Sequence, residues 1–334
     1  MSKIKVALAM DPANVNRLFD SENMRDLSGI ADVDFNRVIN VFNSKSIEDL
    51  KSIDVILTGW GAPRIEEASL KQLPGLKLIT HAAGSLKPIL DESAWNFGLK
   101  ISSAAKANAI PVAEYSVATI LLSGKGALEA RNLYARRRGV IDRPKEFSHI
   151  GNFRRTLGIV GASTIGRLVI SMLKETDLEI IVSDPFLSES ESMLLGVRKV
   201  ELEELFETSD VVSIHAPLLP STENLVSESL LQRMKYKATL INTSRGAIVD
   251  QKALIDVLKM GRIFAVIDTT FPEVLESDSP LFSMENVFLT PHIAGALGNE
   301  IARLGAFAIN EIKLFEGGQH LNGEVSREQF KFMA

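Results

Sequence analysis

The stretch LGIVGASTIG, residues 157–166, joins an apolar run typical of a buried strand to the start of a helical pattern. Gly161 and Gly166 bracket the junction, and Ser163 lies between them. A strand that passes directly into a helix needs a tight turn, which glycine permits because it has no Cβ atom. The stretch therefore predicts a strand–turn–helix unit of a parallel α/β sheet.

The spacing of these residues matches the G-x-G-x-x-G fingerprint of dinucleotide-binding turns, with Ser163 in place of the middle glycine. In that fingerprint the backbone N–H groups and the helix N-terminus face a pyrophosphate. Thr164 and Ile165 would supply N–H groups of the first helical turn, and the Ser163 hydroxyl would donate to the phosphates. We therefore predict that residues 161–166 bind a dinucleotide cofactor.

The next predicted strand, EIIVS at 179–183, is followed by an acidic residue. Asp184 lies 18 residues after Gly166, where an acceptor for the ribose hydroxyls is expected. Its charge would repel a 2′-phosphate, and residues 185–187 include no arginine that would bind one. The sequence thus favours NAD over NADP as the cofactor. The alternative is that Asp184 only caps a loop.

Short β-rich runs alternate with longer helical patterns along the chain, which predicts a parallel α/β architecture. The later runs are continuously apolar, as expected of strands that are covered on both faces. The predicted strands are 5–10, 54–58, 76–80, 99–103, 156–160, 179–183, 211–215, 239–243, 264–268 and 286–290.

Two long helical patterns lie where one half of the chain could join the other. We predict one helix over 111–122, which begins at Pro111 because proline suits the first turn of a helix. A second is predicted over about 297–315, and the pair Gly317 and Gly318 is expected to end it. If this second helix packs on the N-terminal sheet, the first domain is discontinuous in sequence.

The composition bounds the class of protein. The chain has 334 residues, of which 46 % are hydrophobic and 24 % charged, as is ordinary for a globular protein of two domains. Its formal net charge of −5 gives no overall field that attracts nucleic acid or an anionic membrane. No run reaches the ~18 apolar residues of a membrane span. The chain has no cysteine, and the lack of a targeting segment makes the cytoplasm the expected compartment.

Four further stretches carry candidate chemistry: SIHAPLLPSTENL at 213–225, INTSRGAIVD at 241–250, AVIDTTFPEV at 265–274 and FLTPHIAG at 288–295. Together with the VAE sequence at 112–114, they resemble the D-isomer-specific 2-hydroxyacid dehydrogenases, a family that includes phosphoglycerate dehydrogenase and glyoxylate/hydroxypyruvate reductase. The resemblance covers about residues 76–315. It implies hydride transfer between NAD(H) and a small D-2-hydroxy or 2-oxo acid.

The resemblance implies three residues for the reaction, namely Arg245, Glu273 and His292. Arginine offers a planar fork that matches a substrate carboxylate and can polarise the adjacent carbonyl. Histidine titrates near neutrality, so it can give a proton in reduction and take one in oxidation. A glutamate hydrogen-bonded to the imidazole would fix its tautomer and favour its protonated form. TTFPEV departs from the usual family pattern, and the nearby Glu276 is the alternative partner.

The resemblance also implies further cofactor contacts. Asp268 corresponds to a family aspartate that contacts the nicotinamide amide, and His292 also borders the cofactor. His215 is either a wall of the cofactor site or a packed histidine at a strand end, and both possibilities stay open. The remaining implied contacts are Ala216, Pro217, Thr222 and Thr243.

Two stretches in the N-terminal half are expected at the substrate. Ala83, Gly84 and Ser85, in LITHAAGSLKPI, occupy the position of a family loop whose backbone N–H groups help hold the substrate carboxylate. This loop departs from the family pattern G-x-G-x-D-x-I-D. Trp60, which follows a predicted strand, is a candidate for the pocket lid and equally for simple packing.

We predict two Rossmann-like, doubly wound parallel-sheet α/β domains with the active site in the cleft between them. Residues 1–107 and 296–334 would form a discontinuous substrate-binding domain, and 108–295 the NAD-binding domain. The VAE helix and the basic segment after it match the dimerising region of the family, which predicts a homodimer. That segment, 131–155, is a subunit interface or solvated connector, or it attracts an anionic substrate.

Two alternative functions stay open. The family contains NAD(H)-binding transcriptional corepressors that retain the catalytic residues. It also contains formate dehydrogenases, which carry glutamine where Glu273 stands. The five histidines show no H-x-x-x-H spacing, so a metal-dependent hydrolase is not predicted and no metal is expected. Because the chain ends at Ala334, soon after the last predicted helix, we expect no appended regulatory domain.

Overall fold

The computed structural model describes residues 3–333, apart from the side chains of residues 44, 45 and 49. The described chain divides into two compact units. One comprises the residues up to Asn108 and from Ala296 onward, and the other is Ala109–Gly295. Each unit has its own parallel sheet and its own hydrophobic core.

The strands pair in parallel throughout both sheets. They are β1 (Ile4–Ala9), β2 (Ala31–Ile39), β3 (Val55–Thr58), β4 (Leu78–His81), β5 (Lys100–Ser103), β6 (Thr156–Val160), β7 (Glu179–Ser183), β8 (Arg198–Lys199), β9 (Val211–Ile214), β10 (Thr239–Asn242), β11 (Phe264–Ile267) and β12 (Val287–Leu289). The α-helices are α1 (Val15–Leu18), α2 (Ser21–Ile30), α3 (Ser44–Leu50), α4 (Glu67–Leu70), α5 (Ala105–Gly124), α6 (Ala127–Arg137), α7 (Arg143–Glu146), α8 (Thr164–Met172), α9 (Glu189–Leu195), α10 (Leu202–Thr208), α11 (Glu228–Arg233), α12 (Gln251–Lys259), α13 (Ile301–Glu316) and α14 (Arg327–Lys331).

All ten predicted strands are present, with ends within two residues of those predicted. The sequence does not predict β2 or β8, which form one edge of each sheet. Edge strands need less apolar cover. In β2, apolar residues alternate with exposed polar and charged residues over much of the strand. Strand β8 is only two residues long. Neither therefore carries the continuous apolar run that marks an interior strand.

The prediction that a helix begins at Pro111 is wrong, because this proline lies inside α5. The helix begins six residues earlier, at Ala105, whose N–H donates to Ser103 Oγ at 3.0 Å. Proline lacks the N–H that would bond to the carbonyl one turn back. A helix of 20 residues tolerates the loss of this one bond.

The predicted helix over 297–315 is α13, and its first turn differs from the prediction. A 3₁₀ turn over Gly298–Glu300 precedes the helix, and Leu297 stays outside it. The helix ends at Glu316, immediately before Gly317 and Gly318 as predicted. The glycine pair therefore predicts the end of the helix correctly, whereas the stripe of apolar residues begins about one turn before the helix does.

The seven-stranded sheet has the order β12-β11-β10-β9-β6-β7-β8. The chain moves outward from β6 to β8 and then resumes on the other side of β6 with β9. The strand order thus reverses between β6 and β9, and in doubly wound sheets ligands bind at the carboxyl ends of the strands at such a switch point. The predicted cofactor turn follows β6 directly, at this position.

The five-stranded sheet has the order β2-β1-β3-β4-β5, which is also doubly wound. Helix α13 packs against β4, β5, α1 and α2 of this unit. Its residues Leu304 and Ile312 share one apolar cluster with Leu8 and Leu57 of the sheet. The C-terminal helix therefore completes the core of the N-terminal sheet.

Both sheets are covered on both faces. In β3, Ile56 and Leu57 belong to different apolar clusters, as do Ile159 and Val160 in β6. Successive side chains of a strand point to opposite faces, so each interior strand must be apolar at nearly every position. No helix within residues 3–333 combines the length and apolarity needed to cross a bilayer.

The last residue of β4, His81, is buried in the five-stranded unit, with 4 % of its surface exposed. Its Nδ1 lies 2.8 Å from Thr58 Oγ1 on the neighbouring strand. Burial lowers the pKa of His81 to about 4, and a hydrogen bond with the Ser85 backbone opposes that shift only partly. The histidine is therefore neutral in the folded protein at neutral pH.

Because the unfolded chain binds a proton near pH 6.5 and the folded chain does not, His81 should make stability fall as the pH drops. Between pH 7 and pH 5 we expect a loss of about 2 kcal/mol in the free energy of unfolding from this group. Urea denaturation of His81→Gln should show a weaker pH dependence over this interval. His320→Gln, at an exposed position, is the matched control, and equal pH slopes in all three proteins would contradict the assignment.

Candidate active site

The turn after β6 is as tight as the sequence predicts. Gly161 has φ +96°, and a Cβ atom on it would lie 2.8 Å from the backbone nitrogen of Ala216. A Cβ atom on Gly166 would lie 2.2 Å from the carbonyl oxygen of Gly161. Both contacts are too close for any side chain. Glycine at 161 therefore lets the ends of β6 and β9 approach each other, and glycine at 166 lets the first turn of α8 lie against the carbonyl of Gly161.

Helix α8 begins at Thr164, immediately after the turn, and Ser163 caps it by accepting from Gly166 N at 3.3 Å. Within residues 3–333, the N–H groups of Ser163, Thr164 and Ile165 have no hydrogen-bond acceptor. Three free donors at a helix N-terminus suit a phosphate group. This part of the structure therefore fits the pyrophosphate of a dinucleotide.

Asp184 links the cofactor turn to the loop after β7. Its Oδ2 accepts from Ala162 N and its Oδ1 accepts from Phe186 N, each at 2.7 Å. The residue thus acts as a loop cap. A carboxylate has about four acceptor positions, so two remain for ribose hydroxyls. The two roles weighed for Asp184 from the sequence are compatible.

His215 follows β9 and is buried behind the cofactor turn, with its Nε2 3.0 Å from Ser213 Oγ. Burial lowers the pKa of His215 to about 4, so the ring is neutral at physiological pH. A Cβ atom on Gly166 would lie 3.5 Å from the His215 Cβ, in ordinary packing distance. The structure therefore places His215 at the strand end, buried directly below the turn.

The loop after His215 is fixed by two hydroxyl groups. Thr222 Oγ1 donates to the Pro217 carbonyl at 2.6 Å, and Ser244 Oγ donates to the Ala216 carbonyl at 2.5 Å. The second bond joins the loops after β9 and β10. These two bonds keep residues 216–222 close to the carboxyl edge of the sheet.

Arg245 follows β10, and its position depends on its neighbours. Its Nη1 donates to the Ser244 carbonyl at 2.8 Å. Burial lowers the pKa of Arg245, while the carboxylate of Glu273 opposes that shift. Two residues earlier, Thr243 Oγ1 lies 3.0 Å from Ser116 Oγ on α5. Arg245 is thus a partly buried cation whose nearby counter-charge is Glu273.

Gly246 brings the loops after β10 and β11 together. A Cβ atom on Gly246 would lie 2.1 Å from the carbonyl carbon of Thr270. The loop that leads to Glu273 is held in turn by Thr270 Oγ1, which donates to the carbonyls of Pro272 and Glu273. Gln251 accepts from Phe271 N and donates to Phe271 O. This packing explains why glycine follows Arg245.

His292 Nδ1 is hydrogen-bonded to Glu273 Oε1. Both side chains are substantially exposed, at 43 % for His292 and 58 % for Glu273. The described structure therefore pairs His292 with Glu273, and Glu276 takes no part in the pair. With Nδ1 engaged, Nε2 is the ring nitrogen that remains for another partner.

His292 has a left-handed backbone, with φ +55°, which is uncommon for residues other than glycine. The turn around it wraps Asp268, whose carbonyl accepts from His292 N at 2.9 Å. The Asp268 carboxylate accepts from Thr290 Oγ1 at 2.6 Å, Ile293 N at 2.8 Å and Ala294 N at 2.9 Å. The sequence suggests a cofactor contact for Asp268, but it does not predict that Asp268 holds the turn at 290–294. The threonine before Pro291 and His292 is the one residue of the TPH motif that could have indicated this contact.

The predicted substrate loop lies in the first unit. Ser103 Oγ donates to the Gly84 carbonyl at 2.7 Å. Among residues 3–333, no acceptor bonds the N–H groups of Ala83, Gly84 or Ser85. Trp60 is partly buried and packs against the core of this unit. No cluster of three or more potential metal ligands of the histidine, cysteine, aspartate and glutamate types occurs among the described residues.

Comparison with known proteins assigns the family. The model of the D-isomer specific 2-hydroxyacid dehydrogenase NAD-binding domain matches residues 117–294. The glyoxylate reductase of Korarchaeum cryptofilum is 32 % identical over 287 residues, which cover 85 % of this chain and 86 % of that protein. The chain belongs to the D-isomer specific 2-hydroxyacid dehydrogenase family.

Other similar proteins differ in length or are more distant. The D-3-phosphoglycerate dehydrogenase of Methanocaldococcus jannaschii is 30 % identical over 268 residues, which cover 80 % of this chain. The chain spans about half the length of that relative, 50 %. The structure of a phosphoglycerate oxidoreductase from Rhizobium etli superposes with a TM-score of 0.83 over 98 % of this chain and 99 % of that one, at 20 % identity. At that identity the likeness establishes the fold alone.

Replacing Gly246 by alanine should disturb this dehydrogenase fold at the candidate site. The added methyl would overlap the Thr270 backbone, so we expect the free energy of unfolding to fall by about 1–3 kcal/mol in urea denaturation. Gly29→Ala is the matched control, because nothing lies within 4 Å of a Cβ atom there and the position is helical. Equal stability of the two variants would mean that the close approach is unimportant.

Proposed function

We propose that this protein is an NAD-dependent oxidoreductase that interconverts a small D-2-hydroxy acid and the corresponding 2-oxo acid. The hydrogen bond between His292 Nδ1 and Glu273 Oε1, with the partly buried Arg245 near Glu273, carries the proposal. It combines a proton donor, a partner that orients it and a cation for a carboxylate. These are the groups that reduction of a 2-oxo acid requires.

Each residue has a defined task in this mechanism. The guanidinium of Arg245 binds the substrate carboxylate through its planar fork. His292 donates a proton from Nε2 to the carbonyl oxygen, while Glu273 holds Nδ1 and stabilises the charged ring. Bound NADH supplies the hydride. In the oxidation direction, neutral His292 takes the hydroxyl proton at the same nitrogen.

We propose NAD rather than NADP as the cofactor. We propose that it is bound by the cofactor contacts predicted from the sequence, which lie in the turn at 161–166, at Asp184, and in the loops after β9, β10, β11 and β12. The free N–H groups at the start of α8 would hold the pyrophosphate. The free acceptor positions of Asp184 would bind the ribose, and its negative charge disfavours a 2′-phosphate. A ratio of kcat/KM near one for NADH and NADPH would contradict this choice.

The two alternative functions receive less support. The substrate of a formate dehydrogenase has no 2-oxo carbonyl to protonate, whereas here the carboxylate of Glu273 is hydrogen-bonded to the imidazole of His292. A corepressor would need the same cofactor turn but no turnover. We propose the D-configuration for the hydroxy acid because the family is specific for D-isomers.

We also propose a homodimer. No residue of α6 is buried, and Tyr134, Val140 and Phe153 in and after this helix are 64 %, 97 % and 65 % exposed. Apolar side chains exposed to this degree within a basic segment fit a second copy of the chain better than solvent. The cytoplasm likewise stays the predicted compartment.

The function is tested by NADH oxidation with a panel of 2-oxo acids, namely glyoxylate, hydroxypyruvate, phosphohydroxypyruvate, pyruvate and branched 2-oxo acids. We expect turnover of at least one at an ordinary enzymatic rate of about 1 s⁻¹ or more, with a D-hydroxy acid as product. If NADH binds but no 2-oxo acid is reduced, the corepressor alternative replaces the proposal. An L product would contradict the stereochemical part alone.

Arg245→Ala should lower kcat/KM by about 30- to 5,000-fold, because a substrate carboxylate that loses its charged partner costs on the order of 2–5 kcal/mol. Arg245→Lys should recover only part of this loss, since a point charge does not reproduce the fork. Arg262→Ala, which removes a donor to the Met234 carbonyl away from these loops, is the matched control. Full activity of Arg245→Lys would rule out bidentate recognition.

A further inference from the structure

Tyr115 begins a chain of hydrogen bonds that ends at the turn of His292. The tyrosine lies on α5, and its hydroxyl is 2.9 Å from Thr290 Oγ1. Thr290 Oγ1 is in turn 2.6 Å from Asp268 Oδ1 and donates to it. A threonine hydroxyl has one proton, so Tyr115 must be the donor to Thr290. The chain therefore runs in one direction, from tyrosine to threonine to carboxylate.

Burial raises the pKa of Tyr115 above its ordinary value, and its bond with Thr290 only partly opposes that shift. The phenol thus stays protonated at physiological pH and remains a donor. Its bond makes the Thr290 hydroxyl a better donor to Asp268, because linked hydrogen bonds polarise one another. The far end of the chain is a charged acceptor, which strengthens both bonds.

At that end, Asp268 organises three successive residues. Its carbonyl accepts from His292 N, and its carboxylate accepts from Ile293 N and Ala294 N. Thr290 and Ile293 share the same oxygen, Oδ1. A left-handed residue such as His292 persists only where its surroundings hold it. The orientation of Asp268 therefore fixes the backbone from which the His292 ring projects.

Helix α5 also contacts the loop that leads to Arg245. Ser116, next to Tyr115, lies 3.0 Å from Thr243 Oγ1 and donates to the Val112 carbonyl at 2.7 Å. One turn of α5 thus touches the loops after β10 and β12. A helix is a rigid support for such loops, and precise sites are usually built on rigid elements.

We infer that Tyr115 and Thr290 are positioning residues. By orienting Asp268, they hold His292 in the geometry that proton transfer to the substrate requires. The inference rests on the proposed function and deepens it, since neither residue needs to touch the substrate. A local contrast supports it. Among the residues that the structure describes, the buried hydroxyl of Thr269, adjacent to Asp268, has no hydrogen-bond partner, so it takes no part in this chain of hydrogen bonds.

The difference between the hydroxyls of Thr290 and Thr269 defines the variants that test this inference. Thr290→Val removes the hydroxyl at nearly constant shape, Thr290→Ser retains it, and Tyr115→Phe removes only the first donor. Thr269→Val is the matched control, because it deletes the unpartnered hydroxyl. Each full-length variant is compared in kcat, KM and NADH affinity with the best 2-oxo acid of the panel. Amide hydrogen exchange at residues 292–294 is measured on the same proteins.

For Thr290→Val we expect kcat to fall about 10- to 100-fold, the range for a small misplacement of a reacting group. KM and NADH affinity should change little. Exchange at 292–294 should become faster, Thr290→Ser should restore both readouts, and Tyr115→Phe should give a smaller change in the same direction. Thr269→Val should match the unmodified protein.

The inference is overturned if Thr290→Val matches Thr269→Val in kcat or in exchange at 292–294. It is also overturned if Thr290→Ser is as impaired as Thr290→Val, because the hydroxyl would then not be the cause. Failure of the proposed function has a different signature, namely no turnover of any 2-oxo acid by the unmodified protein. Exchange at 292–294 still decides in that case whether Thr290 holds the turn.

Discussion

The candidate site depends on the hydrogen bonds that the buried carboxylate of Asp268 accepts. A buried charge is costly unless its oxygens accept hydrogen bonds, and here three donors from the segment 290–294 satisfy it. That requirement forces the chain after β12 to fold back over the end of β11. His292 is thereby held in a left-handed conformation, next to the loop that carries Glu273.

The other parts of the site follow from close approaches of backbone at the same edge of the sheet. Gly161 lets the cofactor turn meet Ala216, and Gly246 lets the loop of Arg245 meet Thr270. Each glycine stands where a side chain would collide with the backbone of a neighbouring loop. Four strands of one parallel sheet thus bring four separate stretches of sequence to one place, as doubly wound folds do.

Much of this arrangement could be predicted from the sequence because it depends on local patterns. Continuous apolar runs mark the interior strands, and the glycine spacing at 161–166 marks the turn. The edge strands β2 and β8 lack such runs, and Pro111 suggests a helix start where the chain continues a helix. The contact of Tyr115 with Thr290 spans 175 positions. Such a bond depends on tertiary packing, and no periodicity in the sequence encodes it.

The central claim is that Glu273 holds Nδ1 of His292 and leaves Nε2 for the substrate. The ¹⁵N chemical shifts of the His292 ring test it most directly, with the signals assigned by comparison with His292→Gln. The neutral ring should be the Nδ1–H tautomer, with the lone pair on Nε2, and Glu273→Gln should perturb this preference whereas Glu276→Gln should not. A neutral ring protonated at Nε2, or one unaffected by Glu273→Gln, would contradict the account.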